Sequence, residues 1–457
     1  MANIKFSAFT QKLTQADVDF LVGYKSATNE NVRIAPSNIT GGYPFSIETD
    51  SLYSGFVPSG LSGAPQGNTV LGIDAGNALT VGTNNTIIGN DAGKTITNGG
   101  SNVFIGFEAA LNSSTNTSDM VVIGQKAFEN GSNGSNSVLI GKQAGTNQTG
   151  EQVIGIGREA ARVNTADRTI GIGYQAGYSN TSGVSNTFVG ERAGYTNTTS
   201  ANNTYIGDQT GYSASGANNT SIGKSAFGGG FGHTGTDNVA IGYQADQQPT
   251  GASNYNVAVG SQSLKGSGTR TDNVAVGYKA ATAITDGSFN VALGSYALAT
   301  EDTGSRNIAI GYAALETLDN AGDNYNIGIG HNAGKLISTG TNNTLVGGLA
   351  GDSITTGGKN VAIGYEALSS AVIGMDSTVA IGYQAGLSAQ AGNGIHIGNE
   401  SGKSNSGNGF IAIGTKAGYS NTSGSWNTTL GYFAAYTNTT GSENTTLGTE
   451  AGYNNTG

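Results

Sequence analysis

A five-residue phrase, Asn-Val-Ala-Ile-Gly or a close variant, returns 23 times between Asn68 and Gly448. Its closing glycines lie 16 to 19 residues apart and include Gly72, Gly89, Gly106, Gly190, Gly242, Gly294, Gly364 and Gly431. A period this short, held this long, predicts a solenoid, with one coil of backbone per repeat stacked on the next. Length alone would suggest about three globular domains. The repeat overrides that expectation.

Each slot of the repeat has its own chemistry. The residue before the glycine is Ile, Val or Leu in all 23 copies, and the residue three before it is always β-branched. Such residues suit a pleated surface, so a short strand is predicted to end at the glycine, with these two slots on one face toward the core. The invariant glycine implies a backbone angle that a Cβ would forbid. Three residues after it, 20 copies carry Ala, which implies a sterically closed corner. The variable residues beyond are rich in Gly, Asn, Ser and Thr and read as outer turns, with a weaker second strand allowed.

Asn stands four before the glycine in 16 of the 23 copies. Stacked one rung apart, these amides are expected to bond to each other up the coil. Asn-x-Ser/Thr triplets, such as those at Asn197 and Asn427, follow from the repeat and are read as structural, not as glycosylation sites. Charged residues are only 11% of the chain, against about 25% in ordinary globular proteins. A stack explains the deficit, because a charge repeated on every rung repels its own neighbours. The predicted fold class is all-β, a parallel β-solenoid (β-roll) of about 23 rungs.

There is no cysteine, hence no disulfide framework and no thiolate metal site. The first 20 residues lack the apolar core of a secretory signal, and no apolar run is long enough to span a bilayer. The lack of such a run argues against membrane insertion, and the net charge of −10, thinly spread, argues against nucleic acid and anionic lipid surfaces. No cofactor and no metal are expected.

Residues 1–40 depart from the repeat, with three short apolar runs bounded by Asn, Gly and Pro. Too small to fold robustly alone, this segment is read as a docking arm whose contact residues are Phe6, Phe9, Phe20, Val22 and Ile34. Residues 41–67 are read as a linker and first-rung cap, and residues 68–457 as the solenoid shaft.

Two resemblances bear on function. The phrase Asn-Val-Ala-Ile-Gly-Tyr-x-Ala, clean from Asn360 to Ala367, resembles the head repeat of trimeric autotransporter adhesins, which wind a parallel β-roll and associate in threes. The Phe6-Ser-x-Phe-Thr10 start, with Val18 to Tyr24 and Asn31 to Asn38, resembles the opening of virion structural and tail-fibre proteins of marine tailed phages. That second resemblance implies a virion appendage, docked to tail or baseplate proteins through residues 1–40 and reaching toward a host surface receptor. Such fibres often end in a receptor-binding tip or a self-cleaving chaperone domain. Here a normal rung phrase runs up to Gly457, so a cover over that open rung edge is expected.

Candidate sites are sparse. His233, His331 and His396 fall in different rungs and slots, and His396 is read as packing. The acids Glu191, Asp208, Asp246, Glu366 and Glu450 are scattered. Glu159, Glu366 and Glu450 share a slot, but in distant rungs, so the paired carboxylates of a glycan-cleaving spike are not visible and no catalytic residue is assigned. Gly228 to Asp237 faintly resembles a calcium repeat but occurs once and reads as an insertion. Glu316 to Tyr325 carries acids that can collect a cation, and reads as a solvated loop. Tyrosines recur one and five residues after the glycine (Tyr243 and Tyr278; Tyr178 and Tyr195). These rows are read as packing between rungs, with stacking on sugars as the alternative.

The slot two before the glycine runs from bulky (Val70, Phe104) to mostly Ala (Ala240, Ala275, Ala309, Ala362). Read as facing away from the core, it is assigned to contacts around the three-fold axis of a homotrimer. The expected function is therefore a non-enzymatic tail fibre used in host attachment. A bacterial trimeric surface adhesin is the alternative, and a glycan depolymerase a minor one.

Overall fold

The structure, a computed structural model, describes residues 45–48, 51–54, 66–113, 116–228, 233–247, 251–370 and 374–455. The chain divides into two compact units, Met1–Gln152 and Val153–Gly457, and both carry the predicted parallel β-solenoid. In the first unit a hairpin, β1 (Phe45–Glu48) and β2 (Ser51–Ser54), comes before the rungs, and β2 pairs in parallel with β3 (Thr69–Leu71). Strands of three residues then follow, up to Val138–Ile140, each in parallel register with the one before it. In the second unit the strands run from Ile154–Ile156 to Thr445–Leu447 in the same way. A separate two-residue pair, Gly304–Ser305 with Gly322–Asp323, ties a long turn to the rung before it. Phe6, Phe9, Phe20, Val22 and Ile34 lie outside the described residues.

Every repeat glycine has a φ between 121° and 142°, a range that side chains rarely enter. Stacking adds a second bar. A Cβ on Gly242 would lie 2.5 Å from the carbonyl oxygen of Gly260, and the same collision recurs at Gly72, Gly89, Gly106, Gly190, Gly294, Gly364 and Gly431.

The first four residues after the glycine form neither a loose turn nor a strand, and the weaker second strand is seen further on, among the described residues, only as the pair Gly304–Ser305 with Gly322–Asp323 and a few single bridges. The second and fourth residues after the glycine take left-handed angles, as at Asp91 (56°) and Gly93 (54°). The Asp91 N–H donates to Ile73 O at 2.9 Å in the preceding rung, and the Gly93 N–H to Ala109 O at 2.8 Å in the following one. These turns thus form a hydrogen-bonded ladder of their own.

The asparagine slot is buried, and its amides bond to the backbone as well as to each other. Asn256 Nδ2 donates to Asn238 Oδ1 (3.1 Å) and to Arg270 O (3.1 Å), while the Asn256 backbone N–H donates to the same Asn238 Oδ1 (2.9 Å). One side chain thereby satisfies three backbone or amide groups that the corner would otherwise bury unpaired. Asn197 and Asn427, each opening an Asn-x-Thr triplet, are fully buried, as the structural reading requires.

The direction of the strand is opposite to the expectation. Val70, Phe104, Ala240, Ala275, Ala309 and Ala362, assigned to a trimer axis, are buried inside the coil of a single chain. The Ile/Val/Leu and β-branched slots on either side of them face outward. Alternation shows that these slots oppose one another but does not say which is inward. The graded bulk of the middle slot is internal volume matching. Where it holds Leu139, Phe188, Tyr205 or His396, the facing slot four after the glycine is Gly145, Gly194, Gly211 or Gly402, and a Cβ there would collide with that side chain. Where it holds Ala258, Ala292 or Ala309, the facing slot is Leu264, Leu298 or Leu315, all buried. Each pair fills one narrow core.

Gly294→Ala should therefore lower stability by on the order of 3 kcal/mol, read as a fall in the thermal midpoint by circular dichroism. Gly322→Ala, whose Cβ meets nothing within 4 Å, should cost clearly less.

Candidate functional site

The outward strand slots form a surface that repeats from rung to rung. In the isolated chain Ile241 is 36% exposed, Leu293 44%, Ile363 38% and Ile381 36%. One such apolar side chain stands just before every repeat glycine, with Val or Ile three before it in 15 rungs and Thr in eight, and repeated along a unit these make a largely apolar, partly exposed face of the kind that marks an interaction site. It is flanked by tyrosines one residue after the glycine, including Tyr243, Tyr278, Tyr312, Tyr365, Tyr383 and Tyr432, all exposed.

The tyrosines five after the glycine stack more closely than Tyr365 and Tyr383 do at 5.9 Å. Tyr178, Tyr195 and Tyr212 stack at 5.0 and 5.1 Å, as do Tyr419, Tyr436 and Tyr453. Their faces are spent on each other, which fits packing between rungs.

None of the predicted single residues gathers into a shared site. His233 is buried against Phe227 (ring centroids 3.7 Å), and its Nδ1 accepts from the Gly235 N–H at 3.1 Å. Burial, aided by the Arg270 charge, lowers its pKa to about 3. His396 fills a core slot beside Phe410, and burial lowers its pKa to about 4. His331 stacks on Tyr312 at 5.4 Å. Asp208 pairs with Lys224 at 3.1 Å, and Glu366 accepts from Gln384 Nε2 at 2.5 Å. Asp246 is fully buried and takes Arg270 Nη2 on its Oδ1 at 2.5 Å. Burial pushes its pKa up, while Arg270 opposes the shift.

One cluster was only half visible in the sequence. Asp319, in the acidic turn already noted, meets Glu301 and Asp302 of the preceding rung, with carboxylate oxygens within 4.8 Å of one another. These are hard oxygen donors of the kind calcium takes. Glu301 stands in a core slot that holds Ile284 and Leu318 in neighbouring rungs, and its carboxylate accepts from the Gly304 N–H (2.6 Å) and Asn324 Nδ2 (3.2 Å). A carboxylate in a slot that is apolar in both neighbouring rungs was the available signal.

Burial raises the Glu301 pKa from 4.5 to about 7, the Gly304 and Asn320 N–H groups opposing and Asp319 and Asp302 adding to the rise. A folded pKa above the unfolded one means the native state holds the proton longer. The associated stability is full below pH 4.5 and is lost as pH rises through about 7. The thermal midpoint should fall across that window, and Glu301→Gln should flatten the slope there. An equal slope in the variant would assign the pH response elsewhere.

No helix among the described residues is long and apolar enough to cross a membrane. No protein-family model matches the chain, and no curated protein matches it.

Proposed function

We propose that this protein is a non-enzymatic fibre of a phage particle, homotrimeric, docked through residues 1–40 and used for attachment to a host surface. The observation that carries the reading is the apolar outer face repeated rung after rung. A coil that has already filled its own core has no internal use for that face, and burying it against identical copies is the simplest way to cover it. The interface is thus moved from the middle strand slot to its two neighbours. The resemblance of the first 40 residues to phage tail proteins supplies the particle, and the low charge and self-satisfied backbone suit a structural stack.

Two experiments test this. Ile381→Glu, on the outer face, should reduce the solution mass by light scattering from three chains to one while keeping the far-UV spectrum. Ala309→Glu, whose side chain faces the core, should instead lower the thermal midpoint. An unchanged mass for Ile381→Glu removes the trimer. Gold-labelled antibody to residues 25–40 should decorate the tail or baseplate of particles in native material. Label on cell envelopes with particles bare would transfer the protein to the bacterial adhesins.

A further inference from the structure

The slot five before the repeat glycine is left-handed in every described rung. It is filled mostly by Asn, Ser, Asp and Gly, the residues that tolerate this angle. Nine rungs depart from that set, Trp426 (φ 59°) among them, and three neighbouring ones do so in a regular way. Tyr255 (φ 57°), Phe289 (61°) and Tyr325 (51°) put bulky rings into the slot at every second rung, with Asp272 (56°) and Arg306 (63°) between them. Left-handed angles are unfavourable for such side chains. Burial does not compensate, since the three rings are 59%, 48% and 51% exposed.

The cluster is also pre-ordered. The Arg306 guanidinium lies 4.9 Å from the Phe289 ring centroid and 5.9 Å from that of Tyr325. Its Nε is held by Asp323 Oδ1 at 2.9 Å, and the Tyr325 hydroxyl donates to Asp323 Oδ2 at 3.3 Å. Asp323 is itself fixed by the short strand pair Gly304–Ser305 with Gly322–Asp323. Strained and exposed aromatic groups, two of them held against a fixed guanidinium, are the signature of a contact surface.

We infer that Tyr255, Phe289, Arg306, Asp323 and Tyr325 form a binding site for a linear cell-surface glycan. The rings recur every two rungs, about 10 Å apart at the spacing of stacked strands. Between them stand groups that bond to hydroxyls, Asp272, Arg306 and Asp323. A periodic comb of this kind matches a periodic polymer better than the irregular surface of a globular partner. Sugar rings offer C–H faces to aromatics and hydroxyls to carboxylate and guanidinium. The inference rests on the host-attachment reading and names its ligand class.

The test uses the intact chain, titrated calorimetrically with hexasaccharides of β-1,4-linked glucose, N-acetylglucosamine and mannuronate. Saturable binding to at least one is expected. The double variant Phe289→Asn/Tyr325→Asn should weaken it by at least about tenfold. Because Asn suits the left-handed slot, the variant should keep or raise the thermal midpoint and keep its solution mass. Silence with all three sugars, or equal binding by the variant, overturns the proposal. A fall in the midpoint or a change of mass would also overturn it, by giving the rings to the fold or to subunit packing. Failure here with particles still labelled would leave the appendage reading standing, and the reverse pattern would separate the two the other way.

Discussion

The closeness of stacked backbones at the repeat glycine governs this molecule. At Gly242 the next rung's carbonyl stands where a Cβ would be, so every residue in a rung meets its own counterpart one strand spacing away. Under that constraint a side chain must be compatible with itself. Asparagine meets it by donating upward and accepting downward, as along Asn238, Asn256 and Asn273. Tyrosine meets it by stacking. Charge meets it only by alternating, and the basic residues accordingly sit among acids: Lys94 reaches Asp74 and Asp91, and Lys126 reaches Glu108 and Glu129.

Within the coil the constraint becomes one of volume. The middle strand slot and the slot four after the glycine share one narrow cross-section, so a large side chain in one mostly faces Gly, Ala or Ser in the other, Val122 with Phe128 being an exception. Polar groups enter this space at few places. Arg270 is the largest fully buried side chain among the described residues, and besides Asp246 its guanidinium donates to the carbonyls of Leu264 (2.7 Å) and Ile284 (3.2 Å). Such a pair is weak evidence for added stability, because desolvation offsets attraction, yet losing one partner would strand a buried charge. Glu301 avoids that fate by holding its proton toward neutral pH.

The exterior is where rungs differ. Interior slots vary mostly in matched pairs, whereas the left-handed corner slot tolerates Asn, Arg or Tyr at different costs and projects whatever it carries. A solenoid of this type separates the two tasks: the inside and the ladders hold the coil, and the outer slots remain open to change without disturbing it. That separation is the physical basis for placing both the proposed subunit face and the proposed glycan comb on outer slots.

The repeat period, the strand position, the glycine requirement and the asparagine ladder were all legible from the chain, because each depends only on a residue meeting its own copy one rung away. The face of the strand was not. Period-two alternation is symmetric, and Val70 or Ala309 looks equally reasonable pointing in or out until the facing slot is known. The left-handed turn ladder was also hidden, since Asp91 or Phe289 carries no mark of its backbone angle. Nor could spacing reveal that Glu301 and Asp302 stand beside Asp319, or that Asp246 reaches Arg270, for these contacts join different slots of neighbouring rungs. Sequence by itself determined the stack; only the closed coil, by bringing unlike slots face to face across a core one side chain wide, decided what lies inside it and what it presents.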